Sequence, residues 1–295
     1  MFEKIRKYIR IKTSRAVCDA VMLHRVREEK SVIKSNATYE ITPKRLEEII
    51  IKYKKRGYDF ISADRLAELM TDKENQNGRH VCLTFDDGYR DNFELAFPIL
   101  KKHNCPFVVF VNIENLNRES IQWRFALEDL LVANDHITLS DGMTYNCASI
   151  SEKNKAFLEI NKLYGGSGSD INTIKGLFAS YDIDWVKKAD ELMMTTEMVR
   201  EMSEDELCTI GSHAVRHCGI ARLPEEEQKK ELLCSKQILE EITGKEIDHF
   251  AYPFGNHSDT TISIAKSIYK TAFIARGGRV RKKENIYELT RFILN

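Results

Sequence analysis

The sequence predicts an α/β protein built from parallel βα units closed into a barrel, and three observations carry that expectation. Short apolar runs alternate with helical patterns: Ala16 to Val26, Tyr58 to Ser62, Val81 to Phe85, Phe107 to Val111, Phe250 to Gly255 and Thr271 to Ala275 read as strands. Two of them, Val81 to Phe85 and Phe107 to Val111, are continuously apolar, the mark of strands buried on both faces. The first of these ends abruptly in Asp86-Asp87-Gly88, carboxylates delivered at a strand tip where barrels of this kind keep their sites.

The intervening helices carry start signals. Thr42 before Pro43 is an N-cap followed by a proline at the first helical position, and apolar residues at 46, 49, 50 and 53 continue the stripe to Gly57. Helices are expected over Ala63 to Met70, Asn92 to His103, Pro224 to Thr243 and Thr260 to Tyr269, with Ile286 to Leu294 as the closing element. Ser203-Glu204-Asp205-Glu206 reads as a helix start. Between about 114 and 198 the alternation weakens: Trp123 to Val132 reads as a helix, Ser140 to Cys147 as a hairpin, and Leu163 to Asp170 is glycine-rich. A stretch this long is not an unstructured loop inside a compact domain, so it is expected to be a mainly helical insertion capping the site, within a single domain spanning 1–295. Trp123, Tyr181 and Trp185 could stack on the rings of a ligand, although aromatics of this kind usually belong to a core. Gly165 to Gly168 lacks the Gly-Lys-Ser/Thr of a phosphate loop.

Composition narrows the function. With 295 residues the chain can bury a full core, and 45 Lys+Arg against 45 Asp+Glu argue against a nucleic-acid partner. No apolar run approaches the roughly 20 residues that cross a bilayer. Seven scattered cysteines without a CxxC pair suit reduced thiols, and the basic start is followed by no apolar signal region, so a cytoplasmic location is expected. Residues Phe2 to Ile11 form a short basic amphipathic pattern that packs on the barrel or makes weak peripheral contact with the inner face of a membrane.

The chemistry lies in two stretches. Adjacent carboxylates at a strand tip diverge, so that one can hold a metal while its neighbour serves as a base. Far downstream, Ile210-Gly211-Ser212-His213-Ala214-Val215-Arg216-His217 places two histidines four apart, a spacing that puts both on one face of a helical turn. Isolated, such a pair is more often surface decoration. With the Asp pair it completes a two-histidine, one-carboxylate set that leaves room for water.

Thr84-Phe85-Asp86-Asp87-Gly88 followed by Ser212-His213 and His217 resembles the polysaccharide deacetylase family, the NodB-like carbohydrate esterases (carbohydrate esterase family 4), and Phe250-Ala251-Tyr252-Pro253-Phe254-Gly255 resembles its proline-aromatic motif. The resemblance runs from about His24 to Arg291. It implies a distorted, seven-stranded (β/α) barrel; Asp87, His213 and His217 as ligands of a divalent metal ion, zinc first; Asp86 as general base; and the backbone N–H of Phe254 as oxyanion donor. The implied reaction removes an N-acetyl or N-formyl group from an amino sugar of a bacterial surface polysaccharide or of its lipid- or nucleotide-linked precursor. Two departures stand out. Ala251 occupies the position of the family's base-orienting arginine, for which Arg291 is the candidate replacement, with a surface arginine as the alternative. The late Leu-x-x-His element is missing, which leaves His24 as the candidate acid and His257 as a weaker one. His80, His103, His136 and His249 read as structural or exposed. A catalytically inactive carbohydrate-binding or scaffold protein on the same fold is the alternative function.

Overall fold

The computed structural model describes residues 14–72, 78–165 and 171–294. Six strands run parallel in chain order around the molecule: β1 (Ala16–Leu23), β2 (His80–Phe85), β3 (Phe107–Val111), β4 (Cys208–Ser212), β5 (His249–Ala251) and β6 (Thr271–Ile274). The last stave comes in two pieces. β7 (Leu289–Thr290) pairs with β6 and β8 (Phe292–Ile293) pairs with β1, so one passage of chain joins the two edges and gives a seven-stave distorted barrel. Arg291 sits between the pieces. Asp59–Phe60 extends the sheet beside β2, and Val280–Arg281 runs antiparallel to the start of β1.

The strands are buried on both faces because alternate residues join different cores. Along β3, Val108 and Phe110 pack with Ala20, Cys82, Ala251 and Phe273. Phe107, Val109 and Val111 pack outward with the surrounding helices. Among the latter is α1 (Pro43–Lys55), where Thr42 accepts the Arg45 N–H as the sequence predicts and Leu46, Ile49 and Ile50 are buried. The helix α2 (Ala63–Thr71) closes the inner cluster with Leu66, Leu69 and Met70.

The predicted helix over Asn92 to His103 is divided into a π-helical turn, Asn92–Ala96, and α3 (Phe97–Lys102). Pro98 has no N–H to give back to the preceding turn, which is where the regular α pattern is lost. Gly211 in β4 is required by packing: a Cβ there would lie 2.5 Å from the Phe110 ring.

Between β3 and β4 lie α4 (Trp123–Ala133), a hairpin of His136–Thr138 with Thr144–Asn146, α5 (Ile150–Tyr164), α6 (Ile171–Leu177), α7 (Trp185–Leu192) and α8 (Thr196–Glu204). Leu127, Leu131, Ile137, Phe157, Ile160 and Phe178 form a separate apolar cluster there. Two expectations shift. The hairpin arms begin at His136, and residues near Gly142 are its turn rather than its first arm. Ser203 ends a helix instead of starting one: Thr195 caps α8 by accepting the Met198 N–H, and the Ser203 hydroxyl donates back to the Arg200 carbonyl. The basic amphipathic pattern at residues 2–11 and most of the glycine-rich stretch lie outside the described residues.

Candidate metal and acid–base site

The motif residues gather at the C-terminal ends of β2, β4 and β5, and the backbone is strained at each. Asp87, Ala214 and Phe254 are left-handed, with φ of 74°, 65° and 57°. Non-glycine residues hold such angles at a cost of about 1–3 kcal/mol and need surroundings that over-determine them. Here Asn115 donates to the Asp87 carbonyl at 3.1 Å, and Asn112 donates to the carbonyls of His213 and Ala214 at 3.0 and 3.3 Å.

The two histidines are brought together without a helix. Residues 213–219 form a bend, because the left-handed Ala214 interrupts any helical turn and acidic side chains capture the backbone donors. Glu231 accepts the N–H groups of Val215 and Arg216, and Glu114 accepts that of His217. The Nε2 atoms of His213 and His217 lie 3.4 and 3.2 Å from Asp87 Oδ1. That buried oxygen has no hydrogen-bond partner, and one ligand atom from each of the three residues falls within 4.8 Å of the others. His213 Nδ1 is 2.7 Å from the Ala251 carbonyl. With Nδ1–H donating there, the Nε2 lone pair faces Asp87, the usual arrangement of a metal-binding imidazole.

Charge agrees with this arrangement. Burial pushes the Asp87 carboxyl up, but His217 and His213 pull it far below the ordinary carboxylate range. Burial drives His217 down to about 4 against the pull of Asp87. Burial acts on His213 in the same sense but is outweighed by Asp87 and Asp86, which raise it. An orphaned carboxylate oxygen with two Nε2 atoms around it is a donor set that fits a divalent ion with an open coordination position.

Asp86, one residue earlier, faces a different partner. Its N–H donates to the Leu23 carbonyl at 3.0 Å, and its carboxylate receives Arg291 at both oxygens, 2.6 and 2.8 Å. Arg291 is 1% exposed, lies over the rings of Phe110 and Phe273, and also donates to Thr84, which is itself anchored on the Val21 carbonyl. Burial raises the Asp86 carboxyl, but Arg291, then His213, brings it net below its ordinary value. Asp86 is therefore an ionised, oriented carboxylate at neutral pH. Ala251, at the position where the motif lacks its arginine, supplies its carbonyl to His213 instead.

His24 follows β1 and lines the same cleft as Asp86, Asp87, His213 and His217, its ring edge-on to Tyr39 at 4.9 Å. Burial lowers its pKa against the pull of Asp87 and Asp86. His257 is turned away, its Nδ1 2.8 Å from the Gly255 carbonyl and its Nε2 toward Glu288. The exposed Phe254 ring packs on His217 at 4.4 Å and forms part of the cleft wall. His249 is buried between Thr271 and Asp64, and His103 pairs with Glu47. Trp123 lines the cleft, while Trp185 packs edge-on to Phe178 and the Tyr181 hydroxyl accepts the Thr138 N–H. Sequence reasoning gave Thr84 no part beyond its place in the motif and passed over Asn112, Asn115 and Glu114. The signal for Asn112 was present: it follows the apolar β3 run as Asp86 follows β2.

The family model for polysaccharide deacetylases matches residues 73–272, about two thirds of the chain and all three motifs. The chain belongs to the polysaccharide deacetylase family. A putative polysaccharide deacetylase of Bacillus subtilis (strain 168), YxkH, is 19% identical over 236 residues, 80% of this chain and 58% of that protein. Among solved structures, the Streptococcus pyogenes deacetylase PplD superimposes with a TM-score of 0.63 at 19% identity, covering 96% of this chain and 93% of that one. IcaB from Ammonifex degensii gives 0.62 at 18% identity with the same coverages. The fold is thus that of these deacetylases, the distorted barrel implied by the sequence motifs.

Proposed function

We propose that the protein is a metal-dependent hydrolase that removes an N-acetyl or N-formyl group from an amino sugar of a surface polysaccharide or its precursor. The observation that carries this reading is the orphaned Asp87 oxygen facing two Nε2 atoms, with the Arg291-held carboxylate of Asp86 on the next residue. Asp87, His213 and His217 would hold the ion, zinc by donor type. When bound, the ion polarises the amide carbonyl and acidifies water.

The chain's own groups account for the remaining steps. Asp86 takes the proton of the attacking water as the amide carbon becomes tetrahedral, and Arg291 keeps that carboxylate ionised and aimed. The Phe254 N–H receives the developing oxyanion, a role worth about 10²–10³ in rate where such donors have been removed. His24, in the same cleft, relays the proton taken up by Asp86 to the departing amine, so that a carboxylic acid and a free amino sugar leave. The cleft of ≈ 590 Å³ accommodates a small ligand. The helical segment of about 114–198 acts as a cap over it, since Trp123 and Phe125 of α4 and Ile174 of α6 line the cleft.

Seven free cysteines support a reducing, cytoplasmic setting. Among the described residues, no helix is long and apolar enough to cross a membrane. The test is release of acetate or formate from N-acylated amino-sugar oligomers and precursors by metal-replete protein, with an EDTA-stripped control. Metal-dependent release supports the reading. Stoichiometric metal without release from any substrate would turn it toward a carbohydrate-binding role.

A further inference from the structure

One charge in the cleft has no task in the proposed reaction. Arg124, the second residue of α4, lines the cleft half-buried, with its guanidinium over the Phe157 ring at 5.5 Å. Among the described residues it makes no ion pair and no hydrogen bond. The carboxylate a helix would offer it four residues on, Glu128, is committed elsewhere: Asn36 donates to it at 2.5 Å and Arg27 approaches at 3.5 Å.

Every other arginine close to the centre has an acid. Arg25 pairs with Asp91 at 2.8 Å, Arg27 with Glu40 at 2.7 Å, and Arg291 with Asp86. A cation withdrawn from water without a counter-charge is costly, and its planar fork of donors matches phosphate or carboxylate oxygens. The position is also right for a ligand of the centre. Arg124 lines the same cleft as Asp86, Asp87, His213 and His217, on the wall that α4 contributes.

We propose that Arg124 is a specificity residue that binds an anionic group, phosphate or carboxylate, carried by the acylated amino-sugar substrate. This rests on the reading of the cleft as a deacylase site and adds that neutral glycans are its poorer substrates.

The test compares three substrates with the same N-acylated amino sugar: a neutral glycoside, the glycosyl phosphate, and a disaccharide with a neighbouring uronate. One of the two charged compounds is expected to exceed the neutral one in kcat/KM by about 10- to 100-fold, the range of a charge-assisted hydrogen bond, chiefly through KM. Which one does so identifies the anion. Arg124→Met, which keeps the length packed on Phe157, removes this preference, and Arg124→Lys restores part of it. Equal losses on charged and neutral substrates, or no preference in the unaltered protein, overturn the proposal. Binding of the same compounds to EDTA-stripped protein, measured by calorimetry, separates this inference from the reading beneath it. A charge preference lost in Arg124→Met without any amide hydrolysis leaves the anion site standing and removes the deacylase. Hydrolysis without a charge preference does the reverse.

Discussion

The rim of the barrel and the helical segment between β3 and β4 border one cleft but are built in opposite ways. At the rim each functional group is pinned by a buried polar contact: His213 on the Ala251 carbonyl, Asp86 in the fork of Arg291, and the His217 backbone on Glu114. Three left-handed non-glycine residues sit there under strain. The helical segment meets the cleft through Trp123, Phe125, Ile171 and Ile174 as well as Gln122 and Arg124, and is held by its own apolar cluster. The difference separates two tasks. Bond-making groups need fixed geometry and are wired by directional bonds, whereas a wall that recognises a sugar needs shape and can be supported by non-directional burial.

The contrast is broken most severely at the rim. Asp86→Asn should lower kcat by about 10²–10⁴, the share of a general base, while metal content measured by mass spectrometry stays stoichiometric. Asp87→Asn should lose the metal together with activity. Unchanged turnover in Asp86→Asn would take the base away from this residue.

Arg291→Ala leaves a buried carboxylate unpaired and should destabilise the fold by about 3–5 kcal/mol in denaturant titrations. Arg291→Lys keeps the charge but loses the fork; it should fold and turn over more slowly. An Arg291→Ala protein as stable as the original would show that Asp86 does not depend on it.

Next in size is an effect of pH at Asp91, the buried partner of the cleft-lining Arg25. Burial outweighs Arg25 and the Val26 N–H and lifts the Asp91 carboxyl to about 6. A raised carboxyl pKa favours the protonated fold, so its stabilising share is complete below the unfolded value near 4 and is lost as pH rises through about 6. The stability of the protein relative to Asp91→Asn should therefore decline between pH 4 and 7, by at most about 3 kcal/mol. A flat difference across that range would mean that the Arg25 pair balances the burial.

The smallest expected effects sharpen the other side of the comparison. Trp123→Ala should raise KM several-fold, by about 1 kcal/mol of lost contact, with kcat nearly unchanged. Trp185→Ala, against Phe178 and outside the cleft, should cost about 1–2 kcal/mol of stability and leave KM alone. An equal rise of KM in both variants would mean that the segment acts through its fold rather than through its wall.

The two regions were also unequally legible. Five staves could be read because buried parallel strands leave apolar runs, and the run ending in Asp86-Asp87-Gly88 announces a tip; β4 was not read as a strand, since Thr209, Gly211 and Ser212 interrupt its short apolar pattern. The pairing of Asp86 with Arg291 could be suspected only because Ala251 left the motif arginine missing; nothing local in Leu289-Thr290-Arg291 marks a buried guanidinium. The bend carrying His213 and His217 was misread as a helical turn, since spacing carries no sign of a left-handed Ala214 or of carboxylates arriving from Glu114 and Glu231. The helical segment was least legible. Its hairpin and the start of α8 were misplaced because short amphipathic elements share their turn residues, and only tertiary packing selects among them.

The way the barrel closes has a consequence in time. Asp86 and the guanidinium that grips it are 205 positions apart, and the second arrives on the passage of chain that joins β6 to β1. At ribosomal speeds of about 5–20 residues per second, the carboxylate emerges roughly 10–40 s before its partner exists. During that interval a nascent chain can bring Asp87, His213 and His217 together while the neighbouring acid is still ungripped. The capacity to hold an ion should therefore appear on the ribosome before the capacity to turn over.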